Sequence, residues 1–351
     1  MEWFTKIIYN WYLVNRRDLP WRETKDPYKI WISEIILQQT RVAQGLNYYN
    51  RFIGKFPAVF DLANATEDTV LKLWQGLGYY TRARNLHFTA KYIVNNHNGV
   101  FPNDFKTILS LKGIGNYTAA AIASIAFDLP HAAVDGNIYR VLSRYYGIST
   151  HIDAEPARTE IQKIANGLIM EKNPGLHNQA LMEFGALQCV PKSPDCNSCP
   201  VLTNCFAANN NLTGQLPVKS KKITQTTRYF YYFFVESKNS ILLEKRTDND
   251  IWKNLHQFPL FESEKELSET EIFNLKIPFI AGKKVNLKRI STTIKHILTH
   301  QTIYARFIHI ETDFNNFNHS DLFRVNKKDI YKFAVPKLLE HYLKNLNYVS
   351  Q

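Results

Sequence analysis

With 351 residues, 45% of them hydrophobic, the chain has material for two domains of ordinary size, each with a real core. Lysine and arginine outnumber aspartate and glutamate by 43 to 31, a net charge of +12, and 13% of residues are aromatic. That balance suits a polyanionic partner whose bases can be stacked upon. No apolar run reaches the length of a membrane span, and the first six residues lack a basic-then-apolar signal pattern, so a soluble, cytoplasmic protein without a membrane partner is expected.

Apolar residues recur at helical spacing over 27–41, 66–73, 82–95, 117–127, 137–146 and 157–170, between Gly, Pro or Asn stops. The stretch up to 208 therefore reads as an all-α domain. Residues 209–227 are a polar, basic connector. Beyond it, aromatic and branched residues predict strands over 228–236, 240–245 and 303–310. A closing helix over 336–346 would hold Pro336 in its first turn. The second domain, 228–346, is thus α+β.

All four cysteines, Cys189, Cys196, Cys199 and Cys205, lie within 189–205 at the spacing C-x6-C-x2-C-x5-C. Four thiolates in one short loop point to a metal centre, and disulfides would rarely be confined in this way. Zinc usually takes two C-x2-C knuckles. One knuckle with an outlier on each side favours a [4Fe–4S] cluster and leaves zinc open.

Leu111-Lys112-Gly113-Ile114-Gly115 separates two helical segments, and its glycines permit a tight turn that bares N–H groups at a helix start. Such an end carries partial positive charge and suits a DNA phosphate. Asp135 follows twenty residues after Gly115 and alone would read as an N-cap. Glu34, on a helix beside Ile30, Trp31 and Leu37, is a carboxyl among apolar neighbours that would be costly to ionise, unless it sits half-exposed at the edge of that face.

Hairpin, downstream aspartate and cysteine loop together resemble the endonuclease III-type superfamily of helix-hairpin-helix DNA glycosylases. Ile32-Ser33-Glu34-Ile35-Ile36-Leu37-Gln38-Gln39-Thr40, Trp21-Arg22, Gly76–Tyr80 and Ala180–Ala186 are similar to the MutY branch, the adenine DNA glycosylases. The resemblance implies a multidomain fold: an all-α helix-hairpin-helix glycosylase domain (1–208, hairpin about 108–127) with an iron–sulfur loop, then a Nudix-like domain. It implies excision of adenine opposite 8-oxoguanine or guanine in double-stranded DNA by a monomer at a bacterial nucleoid. Glu34 would be the general acid and Asp135 the ionised partner of the sugar, with Tyr117 and Asn137 positioning them. Bifunctional relatives carry a lysine where Tyr117 stands, and a phenol cannot form a Schiff base, so the strand should stay intact.

The resemblance further implies that Arg22 and Glu183 hold the extruded adenine. Gln39 and Tyr79 would enter the duplex, and Gly113 and Gly115 would take the DNA backbone. Arg246, Trp252, Leu255 and Phe258-Pro259 echo the opening of a Nudix-like domain, yet the hydrolase box is absent. His296-Ile297-Leu298-Thr299-His300 aligns with a lesion-recognition loop, Leu298 and Thr299 replacing a phenylalanine and a serine. His151, His177 and His309 are read as structural or solvated. Two alternatives remain: an endonuclease III-like glycosylase/AP lyase on oxidised pyrimidines, and a non-catalytic iron–sulfur DNA-binding sensor.

Overall fold

Helical spacing in the first part of the chain resolves as expected, and the computed structural model describes residues 2–220, 225–275, 277, 284–313 and 321–346. Parts of the expected connector (221–224) and of the second domain (276, 278–283, 314–320) therefore lie outside the described residues. In chain order the helices are α1 (Glu2–Asn15), α2 (Pro27–Leu37), α3 (Val42–Lys55), α4 (Val59–Asn64), α5 (Glu67–Trp74), α6 (Thr81–His97), α7 (Phe105–Ser110), α8 (Asn116–Phe127), α9 (Gly136–Tyr146), α10 (Glu155–Leu168), α11 (Pro174–Leu187) and α12 (Phe206–Asn209). The helix expected over 27–41 stops at Leu37, because the chain turns back through Gln39 at φ +54°, a left-handed residue that no α-helix accommodates.

Two compact units divide the chain. One joins the stretch up to Ala65 with that beginning at Asn85; the other joins Thr66–Arg84 with the chain after the connector. The consecutive division expected from sequence does not anticipate this sharing.

In the first unit, Phe4, Ile8 and Tyr12 of α1 pack with Ile138, Val141 and Leu142 of α9 and with Ala180, Leu181 and Phe184 of α11. α8 is rich in alanine and buried from Thr118 to Ile125, which lets α11 come close. A Cβ on Gly175 would stand 2.7 Å from both the Ser124 carbonyl oxygen and the Ile125 Cα, so only glycine fits there. This packing sets α2, α8, α9 and α11 around one cavity.

The second unit is a mixed sheet of β1 (Thr226–Ser237), β2 (Ser240–Lys245), β3 (His256–Gln257), β4 (Leu260–Ser263), β5 (Val285–Ile290), β6 (Ile294–Ile297), β7 (Gln301–Thr312) and β8 (Leu322–Asn326), with α13 (Glu269–Phe273) and α14 (Lys337–Asn345). β1 runs parallel to β7 and antiparallel to β2 and β4. Alternation along β1 serves two cores. Phe230, Tyr232 and Phe234 face α14 through Leu338, Leu339 and Tyr342, while Tyr231, Phe233 and Val235 meet Leu267 and Ile272. β1 thus carries an unbroken buried run from Phe230 to Val235. Pro336 caps α14 from outside instead of occupying its first turn.

Candidate active site

A cavity of about 510 Å³ opens in the first unit and is lined by Arg22, Glu34, Gln39, Tyr117, Asp135, Asn137 and Glu183 among others. Seven residues singled out from sequence thus share one space. Glu34 sits at the centre of α2, whose residues from Ile30 to Ile36 are all buried; the half-exposed placement is not what folds. Burial pushes its carboxyl up to about 7, with the Asp135 charge adding to the rise and the Tyr117 hydroxyl and Arg22 opposing it.

Asp135 caps α9. Its carboxylate accepts from Asn137 N at 2.9 Å, Ile138 N at 2.8 Å and the Asn137 amide nitrogen at 2.7 Å. Burial raises this carboxyl above the ordinary aspartate range, and those donors, with Arg140, pull the other way. The Asn137 amide is oriented in turn by Arg140, which donates to its Oδ1 at 2.9 Å and, through Nε, to the carbonyl of Cys189 at 2.7 Å. Tyr117 is half-buried and donates to the Met182 sulfur at 3.3 Å. Burial and the neighbouring Glu34 charge keep the phenol protonated.

Glu183 is fully buried and doubly clamped. Arg17 reaches it through its backbone N and Nε at 2.9 Å each and Nη2 at 2.5 Å, and Arg22 through Nη1 at 2.9 Å and Nη2 at 2.8 Å. Burial alone would raise this carboxyl, but the two guanidinium groups outweigh it and hold it at about 2. Arg17 is the residue the sequence reading missed; it lies 166 positions from its partner and belongs to no local motif.

The cysteine loop is organised by a second missed pair. Arg140 and Arg144, one turn apart on α9, are both buried. Arg144 donates to the carbonyls of Leu216 at 2.9 Å, Val190 at 2.8 Å and Pro191 at 3.0 Å, and its Nη1 lies 3.4 Å from the Cys189 sulfur. Two arginines on the otherwise apolar face of an amphipathic helix were the available signal. All four cysteines line one small apolar cavity of about 30 Å³. Among the described residues no three ligand-type side chains stand at metal-holding separation. Soft thiol donors facing one cavity beside a buried guanidinium nevertheless suit an anionic thiolate-ligated centre.

Gly113 holds φ +85° in the turn between α7 and α8, and a Cβ there would come 2.7 Å from that of Asn85. Gly115 is exposed as the N-cap of α8, with open space around it.

In the second unit, Gly76, Gly78 and Tyr79 all have positive φ, and Tyr79 is 46% exposed. Its hydroxyl lies 2.5 Å from that of Thr299. Thr299 and His300 are exposed, and Leu298 is half-buried against the core, so its side chain is only partly presented. Of the remaining histidines, His177 is buried, which lowers it to about 4, and His309 stands 2.8 Å from Glu236.

Residues 32–166 match the family described as HhH-GPD superfamily base excision DNA repair protein, and residues 231–345 match the NUDIX domain. The chain is 41% identical over 336 residues to an adenine DNA glycosylase of Buchnera aphidicola subsp. Baizongia pistaciae, covering 93% of this chain and 90% of the relative. Against the adenine DNA glycosylase of Arabidopsis thaliana the identity is 32%, over 92% of this chain and 59% of that protein. Among solved structures, a thermostable thymine-DNA glycosylase is 31% identical with a TM-score of 0.55, covering 59% of this chain and 95% of its own. An endonuclease III solved in a non-covalent DNA complex shares the fold at 22% identity, covering 60% of this chain and 95% of its own, with a TM-score of 0.52.

Proposed function

The chain belongs to the adenine DNA glycosylase family, enzymes of base excision repair that cleave DNA N-glycosidic bonds, and we propose that it removes adenine opposite 8-oxoguanine or guanine and stops at the abasic site. The observation that carries this reading is the pair of carboxyls in one cavity. Glu34 is pushed to about 7 by burial, while Asp135 is held by N–H donors that favour its ionised form.

The adenine leaves the stack, at a cost of a few kcal/mol that a mispair reduces, and enters the cavity. Glu34 gives its proton to N7, so that the base departs neutral as the C1′–N9 bond breaks. Asp135 faces the oxocarbenium-like sugar as electrostatic partner or transient nucleophile, and water then adds its hydroxyl to C1′ while its proton returns to the Glu34 carboxylate, in the manner of a retaining glycosidase. Asn137 and Tyr117 hold these groups in place, and Arg22 and Glu183 grip the extruded base. Tyr117 cannot form a Schiff base, which leaves the phosphodiester intact.

Gln39 and Tyr79 enter the duplex, Leu298, Thr299 and His300 read the base opposite, and the N–H groups at Gly113 and Gly115 take a phosphate. Cys189, Cys196, Cys199 and Cys205 would hold a [4Fe–4S] cluster, which would supply a structural anchor for the loop. The protein acts as a monomer on double-stranded DNA at the bacterial nucleoid, and its binding weakens steeply with salt.

The test uses excess protein and a duplex with one adenine opposite 8-oxoguanine, labelled on the adenine strand, with half of each sample heated in alkali. Cleavage only after alkali, lost in Glu34→Gln and Asp135→Asn, is expected. Cleavage without alkali would overturn the monofunctional reading.

A further inference from the structure

The segment that carries Tyr79 is tied down at both ends of α5, entirely within the second unit. At the start of the helix the Asn254 amide donates to Glu67, and Lys245 Nζ pairs with Asp68 at 2.7 Å. At its end Lys72 Nζ donates to the Phe333 carbonyl at 3.0 Å and to Gln75 Oε1 at 2.9 Å. That same Gln75 oxygen accepts the Val335 N–H at 3.3 Å. Immediately afterwards the backbone turns through Gly76, Gly78 and Tyr79 at φ +94°, +75° and +48°. The turn is braced from both sides, since Trp74 Nε1 of α5 donates to the Gly78 carbonyl at 3.1 Å and Arg82 Nη2 of α6 to the same oxygen at 3.2 Å. The clamped segment 333–335 leads into α14, which packs on the sheet face where Leu298 also rests. A continuous run of contacts thus joins Tyr79 to the 298–300 loop.

We propose that Lys72 and Gln75 are positioning residues: their clamp on 333–335 sets the Tyr79 turn, so that wedging at Tyr79 and reading at 298–300 act as one device. This rests on the roles given above to Tyr79 and the 298–300 loop. With glycine at two of its four positions the turn imposes little direction of its own, so its direction follows from where α5 is held.

The test compares Lys72→Met/Gln75→Ala with wild type in single-turnover excision from adenine opposite 8-oxoguanine. A 2-aminopurine beside the 8-oxoguanine reports insertion into the stack. Excision is expected to fall about tenfold with a parallel loss of the fluorescence response, and restoring a cationic N–H donor as Lys72→Arg with Gln75 kept should recover both. Adding Tyr79→Ala should cost nothing more, since the clamp acts through that residue. Losses that multiply in full, or wild-type rates and emission beside an impaired Tyr79→Ala, would overturn the clamp alone. Wild-type excision by Tyr79→Ala would instead remove the wedge reading beneath it. Should the double variant not fold, Asn254→Gly keeps the left-handed backbone at φ +66° and removes only the amide on Glu67. It is expected to show a smaller version of the same pattern, and unchanged emission there also overturns the proposal.

Discussion

Replacing Glu34 with glutamine tests the electrostatics of the site without enlarging or shrinking it. The carboxyl is pushed from an ordinary 4.5 to about 7, chiefly by burial. A shift of that size corresponds to about 3 kcal/mol at ~1.4 kcal/mol per unit. The folded state keeps its proton between those two values while the unfolded chain has lost it, so wild-type stability falls as pH rises through that window. Below 4.5 both states are protonated and the contribution is fully present; above 7 it is gone. Glutamine carries no such penalty, so Glu34→Gln should gain about 3 kcal/mol on wild type between pH 4.5 and pH 8.5. Urea unfolding at both pH values, followed by far-ultraviolet circular dichroism of the helical unit, measures the difference. Single-turnover excision by wild type should decline as pH rises through about 7, and the variant should be inactive throughout. A stability difference that does not change with pH would refute the buried, proton-holding Glu34.

Asp135→Asn keeps an acceptor for the Asn137 and Ile138 N–H groups but sets an amide NH2 against that of Asn137, so stability should fall by about 1–3 kcal/mol while excision is lost; parallel melting and single-turnover assays separate the two. Gly175→Ala forces a methyl against the backbone at Ser124 and Ile125 and should cost about 1–3 kcal/mol in thermal unfolding. Arg144→Met leaves the carbonyls of Leu216, Val190 and Pro191 without this donor. A loss of about 3 kcal/mol is expected, with faster amide exchange across 189–205.

Local signals carried much of the first unit. Asp135 marks a helix start because a side-chain oxygen beside bare N–H groups is a short-range matter, whereas the short α7 behind Asp104 carried too few apolar repeats to be read. The apolar neighbours Ile30, Trp31 and Leu37 made burial of Glu34 one of the two placements the sequence left open, and the clustered cysteines marked their loop, since both depend on neighbours within a turn or two. Aromatic and branched residues after the connector located β1, β2 and β7 for the same reason, although β4, β5, β6 and β8 are short or exposed and carried weaker patterns.

What only the tertiary structure decided concerns partners far apart in the chain. Glu183 is held at about 2 by Arg17 together with Arg22, and no pattern near Arg17 or Glu183 chooses the other. Arg140 spans α9 and the Cys189 carbonyl, tying the Asn137 amide on Asp135 to the cysteine loop. Thr66–Arg84 reads as one more helix and turn of the first domain, yet it groups with the second unit, since its polar ends find acceptors and donors at 245, 253–254 and 333–335. Periodicity records which face of an element is apolar. It does not record which distant surface will cover that face, because that choice is made by the packing of the whole chain.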